Sequence, residues 1–251
     1  MTELEKSEIA KNQIINYDFD FVINDDYFPN NGESMYNLFP ESGKCSNIED
    51  AKFGEKSLEL TKKYKTKNKL SLSLCTISFW IKASANSTTN ILSLGEISLA
   101  LNNGKFALNN SVSDILDLTD WNYIGLTING TSCNLYLNGR LSLRYSNTSN
   151  ITLNDILVIG PDSTPANSVF INDFHIYNSI ITAEELKFMQ STPIAVDNDG
   201  NIWCKTLKID NAVEYYGNGT VVTPNIDPLD ADNHFEIYSD KIQLNEIKQI
   251  F

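Results

Sequence analysis

The chain has 251 residues, 41% of them hydrophobic and 10% aromatic, the make-up of a folded protein with a sizeable core rather than a disordered segment. Its formal net charge of −13 offers no basic surface to neutralise phosphates, which excludes nucleic-acid binding and disfavours anionic membranes. Neutral glycans, protein partners and calcium stay open. The cysteines Cys45, Cys75, Cys133 and Cys204 form no C-x-x-C pair, and His175 and His234 are too few to complete a zinc site with them. Cys133 alternates with Leu135 and Leu137 and reads as a buried apolar thiol. No stretch reaches the ~18 apolar residues of a membrane span. The opening MTELEKSEIAKNQ lacks the apolar centre of a signal peptide, so synthesis in a bacterial cytoplasm is expected.

In chain order, residues 1–15 read as a helical arm, with Thr2 and Glu5 at capping-box spacing. Tyr17, Phe19 and Phe21 alternate and predict a first strand. Asp25-Asp26, Pro29 to Gly32 and Glu41 to Gly43 are loop signals. Phe53 to Leu60 reads as a turn feeding a strand, with Leu58 and Leu60 inward. The lysine run Lys62 to Lys69 reads as a solvated loop.

From Thr76 strand signals become dense. Ile77, Phe79 and Ile81 alternate with Ser78, Trp80 and Lys82. Ile97, Leu99 and Leu101 lead to the turn Asn102-Asn103-Gly104, and Phe106 and Leu108 return from it. Ile124, Leu126 and Ile128 share a face before Asn129-Gly130, a strong hairpin signal, and Asn138-Gly139 repeats it. Short strands joined by Gly/Asn turns, with almost no helix between, predict antiparallel sheets in a sandwich or barrel. The stretch Val169 to Gln190 closes the series. Phe170, Asn172, Phe174 and Ile176 are assigned to one face; Val169, Ile171, Asp173, His175 and Tyr177 to the other. Thr182 and Glu185 then form a capping box for a short helix, Ala183 to Gln190, docking through Leu186 and either Met189 or Gln190.

These residues carry a resemblance. SFWIK (78–82), WNYIGLTING (121–130), LYLNG (135–139), LVIG (157–160) and INDFHIYNSIITAEEL (171–186) stand in the order found in laminin-G-like, concanavalin A-like jelly-roll modules. The resemblance spans roughly residues 16–190. It implies an all-β antiparallel sandwich, a jelly roll with a short C-terminal helix, and carbohydrate or protein binding. It also places Trp80 and Trp121 in sheet packing rather than on a sugar-stacking platform.

Jelly-roll glycosidases that resemble this fold carry Glu-x-Asp-x-Glu along one strand, because hydrolysis needs two carboxylates facing one bond. The strands Ile97 to Leu101 and Ile124 to Ile128 have no carboxylate, and neither histidine sits in a nucleophile motif, so a non-catalytic protein is expected. His175 reads as structural. Sorting the loops by alternating strand direction groups Asn129-Gly130 with Asn102–Gly104 and Ser146–Asp155. The other end then gathers Glu96, Asp114, Asp117, Asp120 and Asp162. Asp114, Asp117, Asp120 and Asp162 are the candidate ligand-binding residues of that rim. Glu96, Asp117, Asp120 and Asp162 are the candidate calcium ligands. Asp in turns also caps backbone donors, and that plainer reading is preferred.

Pro193 marks a boundary, giving an arm at 1–15, a jelly roll at 16–192 and a β-hairpin region at 193–251. Val196 to Leu207 and Ile237 to Ile247 each read as strand, Asp-containing turn, strand. Hairpins of this kind resemble those of phage tail and baseplate fibre proteins, which form trimers carrying lectin-like domains. The expectation is a receptor-binding or tail-fibre protein of a phage or phage-like particle, a homotrimer among other tail or baseplate proteins, recognising a bacterial cell-surface polysaccharide. A structural baseplate component without ligand and a carbohydrate-active enzyme with an unrecognised site are the alternatives.

Overall fold

A computed structural model describes Ile9 and residues 11–31, 34–115 and 117–190, and beyond them the backbone of five short strands between Ala195 and Val222. The chain divides into two compact units, residues 12–187 and residues 1–11 with 188–251. No helix among the described residues is long and apolar enough to cross a membrane.

The first unit is two facing antiparallel sheets of seven strands each. One sheet runs β1 (Gln13–Tyr17), β14 (Val169–Tyr177), β5 (Leu74–Ala83), β10 (Asn122–Asn129), β11 (Ser132–Leu137), β12 (Arg140–Ser146), with β3 (Leu58–Glu59) also paired to β14. The other runs β2 (Leu38–Pro40), β4 (Tyr64–Leu72), β13 (Leu153–Ile159), β6 (Thr89–Leu94), β7 (Ile97–Asn102), β8 (Lys105–Leu108), β9 (Ser111–Ile115). This is the expected jelly-roll sandwich. Between the sheets Ile77, Phe79, Ile81, Ile124, Leu126, Leu99, Phe106 and Leu157 are fully buried. Aromatic rings thread this core: Phe79 stacks on Phe174 at 5.6 Å, Phe174 on Tyr17 at 6.0 Å, and Phe19 meets Phe28 edge-on at 5.2 Å. Cys75 and Cys133 both lie opposite Ile128 on this inner face, and burial pushes the Cys75 thiol up to about 12.

Turn chemistry fixes the hairpins. Asn138-Gly139 and Asn103-Gly104 both take positive φ at both positions, as a two-residue turn of the primed kind requires. At Asn129-Gly130 the hairpin forms, but Asn129 pairs with Ser132, so the loop is Gly130-Thr131 with the glycine first. Thr182 and Glu185 make the expected capping box: Glu185 N donates to Thr182 Oγ1 at 3.2 Å and Thr182 N to Glu185 Oε2 at 2.6 Å. Helix α1 (Ala183–Met189) follows.

Four local expectations fail, each for a physical reason. The arm does not run to residue 15 as helix, because Gln13–Tyr17 is the edge strand β1 on β14; Tyr17 and Phe19 are buried, while Phe21 is 67% exposed beyond it. Residues 1–8 lie outside the described set. The lysine run is not a loop but the start of β4, with Tyr64, Thr66 and Leu70 buried and Lys67 and Lys69 on the solvent side. The faces of β14 change phase midway. Asp173, at φ 53, is the extra residue of a bulge between Asn172 and His175, so Val169, Ile171, Phe174 and Ile176 all enter the core and Asn172, His175 and Tyr177 face outward. Finally, Ser111–Ile115 is a strand, which reverses the end to which every earlier turn of that sheet belongs.

In the second unit β15 (Ala195–Val196) pairs with β16 (Ile202–Trp203), the first predicted hairpin. β17 (Thr206–Ile209), β18 (Val213–Tyr216) and β19 (Thr220–Val222) form an antiparallel meander. The second predicted hairpin, Ile237 to Ile247, lies outside the described residues.

Candidate functional site

The extra strand β9 redistributes the loops. One end of the sandwich, that of the Gly139 turn, gathers residues 84–88, 103–104, 117–121, 138–139 and 160–168. Backbone bonds lace part of it together: Ala83 N to Leu118 O at 2.7 Å, Ser84 N to Ser168 O at 3.1 Å, and Gly104 N to Ser87 O at 3.1 Å. The opposite end, that of Gly130, holds the Gly95-Glu96 turn, because Glu96 N donates to Thr152 O at 3.0 Å and Ile151 N to Gly130 O at 2.8 Å. Glu96 is therefore not at the rim with Asp117 and Asp120, and Asn103-Gly104 is.

Each rim carboxylate has identifiable surroundings. Asp117 Oδ1 accepts from Thr119 N at 3.0 Å and from Thr119 Oγ1 at 2.6 Å, and those two bonds hold its carboxyl below the usual range. Asp120 Oδ1 accepts from Trp121 N at 2.7 Å. Asn122 Nδ2 ties the loop from beneath, donating to Asp120 O at 2.9 Å and Asp117 O at 3.2 Å, while Asn138 Nδ2 donates to Asn122 Oδ1 at 2.8 Å. Asp114 stands exposed on β9. Asp162 is ion-paired with Lys63, which also faces Glu41 at 3.9 Å. Glu96 Oε2 accepts from Thr152 N at 2.6 Å. Of the four candidate calcium ligands, Glu96 thus lies at the opposite end, Asp162 is paired with Lys63, and Asp117 and Asp120 share one loop. Among the described residues no three of His, Cys, Asp or Glu come together to hold a metal ion. The carboxylates that looked like a calcium set are mostly occupied with their own turns, as Asp side chains in loops commonly are.

What the rim does contain is a hollow of about 230 Å³. Leu101 and Leu118, both buried, give it an apolar floor, and Asn86, Ser87, Asp117 and Thr119 line it with polar groups. Asn86 is held at φ 60, and Gly104 packs against its backbone, where an added Cβ would sit 3.6 Å from the Asn86 amide nitrogen. Of these residues only Asp117 was legible as a site residue. Asn86, Thr119 and Gly104 come from three separate loops, and pairing them needs the correct count of strands.

The aromatic residues lie elsewhere. Trp80 is buried on the outer face of the first sheet, edge-on to Phe53 at 5.4 Å, tilted on Tyr123 at 5.3 Å, with Lys52 Nζ 4.9 Å above it. Trp121 is half-buried, with Lys82 Nζ at 6.0 Å. His175 is buried on the same outer face, with Nε2 3.2 Å from Asp173 Oδ2 and Nδ1 bonded to the Gln13 amide. Burial pushes the phenols of Tyr123 and Tyr177 up, and the Ser78 hydroxyl beside both acts the other way. Neither of the two imidazole nitrogens faces a nucleophile.

Residues 60–187, half of the chain, match the family described as the concanavalin A-like lectin/glucanases superfamily. The chain belongs to this superfamily. No curated protein matches its sequence. Among solved structures, this superfamily member is similar to the ligand-binding domain of botulinum neurotoxin serotype D in complex with N-acetylneuraminic acid, with a TM-score of 0.56 and 18% identity over 83% of this chain and 57% of that one. It is also similar to the binding domain of paraclostridial mosquitocidal protein 1, with a TM-score of 0.58 and 16% identity over 82% and 58% of the two chains. At these identities the likeness is one of fold, and the chain spans less than two thirds of each of those chains.

Proposed function

We propose that this chain is a non-catalytic glycan-binding protein, displayed on the tail of a phage or phage-like particle, that holds a bacterial cell-surface polysaccharide at the Gly139 end of its jelly roll. The rim hollow carries the reading. An apolar floor of Leu101 and Leu118 bordered by the Asn86 amide, the Asp117 carboxylate and the Thr119 hydroxyl suits a sugar ring, which presents apolar C–H groups on its faces and hydroxyls at its edge. At about 230 Å³ the hollow is below the usual size of a drug-sized pocket, which fits a single terminal or branch sugar. Solved structures of similar fold named as binding domains, one with a bound sugar, support glycan binding in general rather than this rim in particular. The particle setting draws support from the hairpin and meander strands that follow the jelly roll. A trimer through that region and neighbouring tail or baseplate proteins belong to the same proposal.

The test is binding of the full chain to polysaccharide purified from Gram-positive cell walls, with and without EDTA. Asp117→Ala and Thr119→Ala should each weaken binding about tenfold, the scale of one hydrogen bond to a charged group, and EDTA should leave it unchanged. Wild-type affinity in both variants would remove the site from the rim. Loss of binding in EDTA would restore a calcium centre. A chain that binds no glycan but holds a tail protein tightly would be a structural component, and release of soluble product would make it an enzyme.

A further inference from the structure

The sequence contains two arginines, Arg140 and Arg144, against a net charge of −13, and both lie on one strand, β12. This is the last strand of the first sheet, with β9 of the other sheet beside it, and both side chains are exposed. The strand is bulged: Leu143 pairs with Leu135 but Leu141 with Tyr136, so Ser142 is the extra residue. The bulge puts Leu141 and Arg144, three positions apart, on the same outer face. There Arg144 is paired with Asn134 and Leu141 with Tyr136. Arg144 Nε donates to Asn134 Oδ1 at 3.0 Å, which orients the guanidinium, and its terminal nitrogens have no hydrogen-bond partner among the described residues. No carboxylate forms an ion pair with it among the described residues, although the chain has 32. Leu141 is 49% exposed and Tyr136 half-buried. Gly125, the residue opposite Tyr136 on β10, is capped by Leu186 of helix α1, so the helix walls the patch on that side. Lys187, exposed on the same helix, packs on Gly139 at the turn into β12. Glu185 of that helix is occupied by its capping box.

We infer that Asn134, Tyr136, Leu141 and Arg144 form a second saccharide site, selective for a carboxylate-bearing sugar. The inference rests on the glycan-binding reading of the domain. A guanidinium fork matches a carboxylate through two parallel bonds, which the hydrated point charge of a lysine does not reproduce. An aromatic ring and a leucine beside it offer the apolar surface a pyranose face covers. The rim hollow, bordered by Asp117, repels an acidic sugar, so the two surfaces recognise different units of one polymer. Arginine on an edge strand also serves to block pairing with another chain, and the experiment separates that role.

The full chain is titrated with a hexuronate oligosaccharide and with the same oligosaccharide after its carboxylates are reduced to alcohols. The expected result is at least tenfold tighter binding of the acidic form, weakening as salt is raised. Arg144→Gln should abolish the preference and Arg144→Lys restore only part of it. Equal affinity for the two oligosaccharides would overturn the inference, and so would undiminished hexuronate binding by Arg144→Gln, with or without self-association of that variant. If cell-wall polysaccharide still binds through the rim while the carboxylates make no difference, only this second site fails. If no saccharide binds at all, the glycan-binding reading falls with it.

Discussion

The outer face of the first sheet has two halves that share a backbone geometry and differ in what lies over them. Over β14, β5 and β10, Phe53 packs on Trp80, Leu186 of helix α1 lies on Gly125, and Trp80, Tyr123, His175 and Tyr177 are all buried, so this half is a second, smaller core. Over β11 and β12 the cover stops at the helix: Tyr136 is half-buried, and Leu141 and Arg144 are exposed. The residues with the look of a sugar platform are thus the ones used for packing, while the open half relies on one tyrosine, one leucine and one guanidinium. Burial, rather than residue type, separates scaffold from surface here.

The largest expected effect is at Trp80. Trp80→Ala should cost about 3–5 kcal/mol and lower the melting temperature by roughly 10 °C, with glycan binding per folded molecule retained. A stable variant that had lost binding would instead make the covered half a ligand platform. Gly125→Val comes next. A Cβ there would lie 2.5 Å from Leu186 Cδ1, so the buried Leu186 side chain must be displaced, at about 1–3 kcal/mol, loosening helix α1 and making proteolysis near residues 178–187 faster. Unchanged protease resistance would show that the helix does not depend on that contact. Arg144→Gln, on the open half, should change stability by less than about 0.5 kcal/mol. The smallest effect is a pH response at the rim. The Asp117 carboxyl is held below its usual value by Thr119, so the bonds of that turn persist above the ordinary aspartate range and loosen as pH falls through the lowered value. The Thr119 amide resonance should report that midpoint, and an ordinary aspartate midpoint would contradict the bonds.

The sandwich was readable because the inward residues of β5, β10 and β11 alternate cleanly and the turns carry Asn and Gly where positive φ is needed. What was hidden was phase. A bulge at Asp173 adds one residue to β14 and moves Phe174 inward and His175 outward, and no alternation rule registers it because both faces are apolar. The strand Ser111–Ile115 was missed because Asn109-Asn110, its turn, reads equally as the start of a long loop. That single omission moved Glu96 to the wrong end of the molecule and kept Asn86 and Gly104 apart from Asp117. The Arg144 patch was invisible for a related reason, since the bulge at Ser142 breaks the period that would place Leu141 beside it.

The central claim is that glycan is held at the Gly139 end of the jelly roll. Hydrogen exchange on the full chain, with and without saturating cell-wall polysaccharide, tests it most directly. Slowed exchange in residues 84–88 and 117–122, with residues 95–96 and 147–152 at the opposite end unchanged, is the predicted result. Protection confined to the Gly130 end, or none anywhere while the polysaccharide is bound, would contradict it.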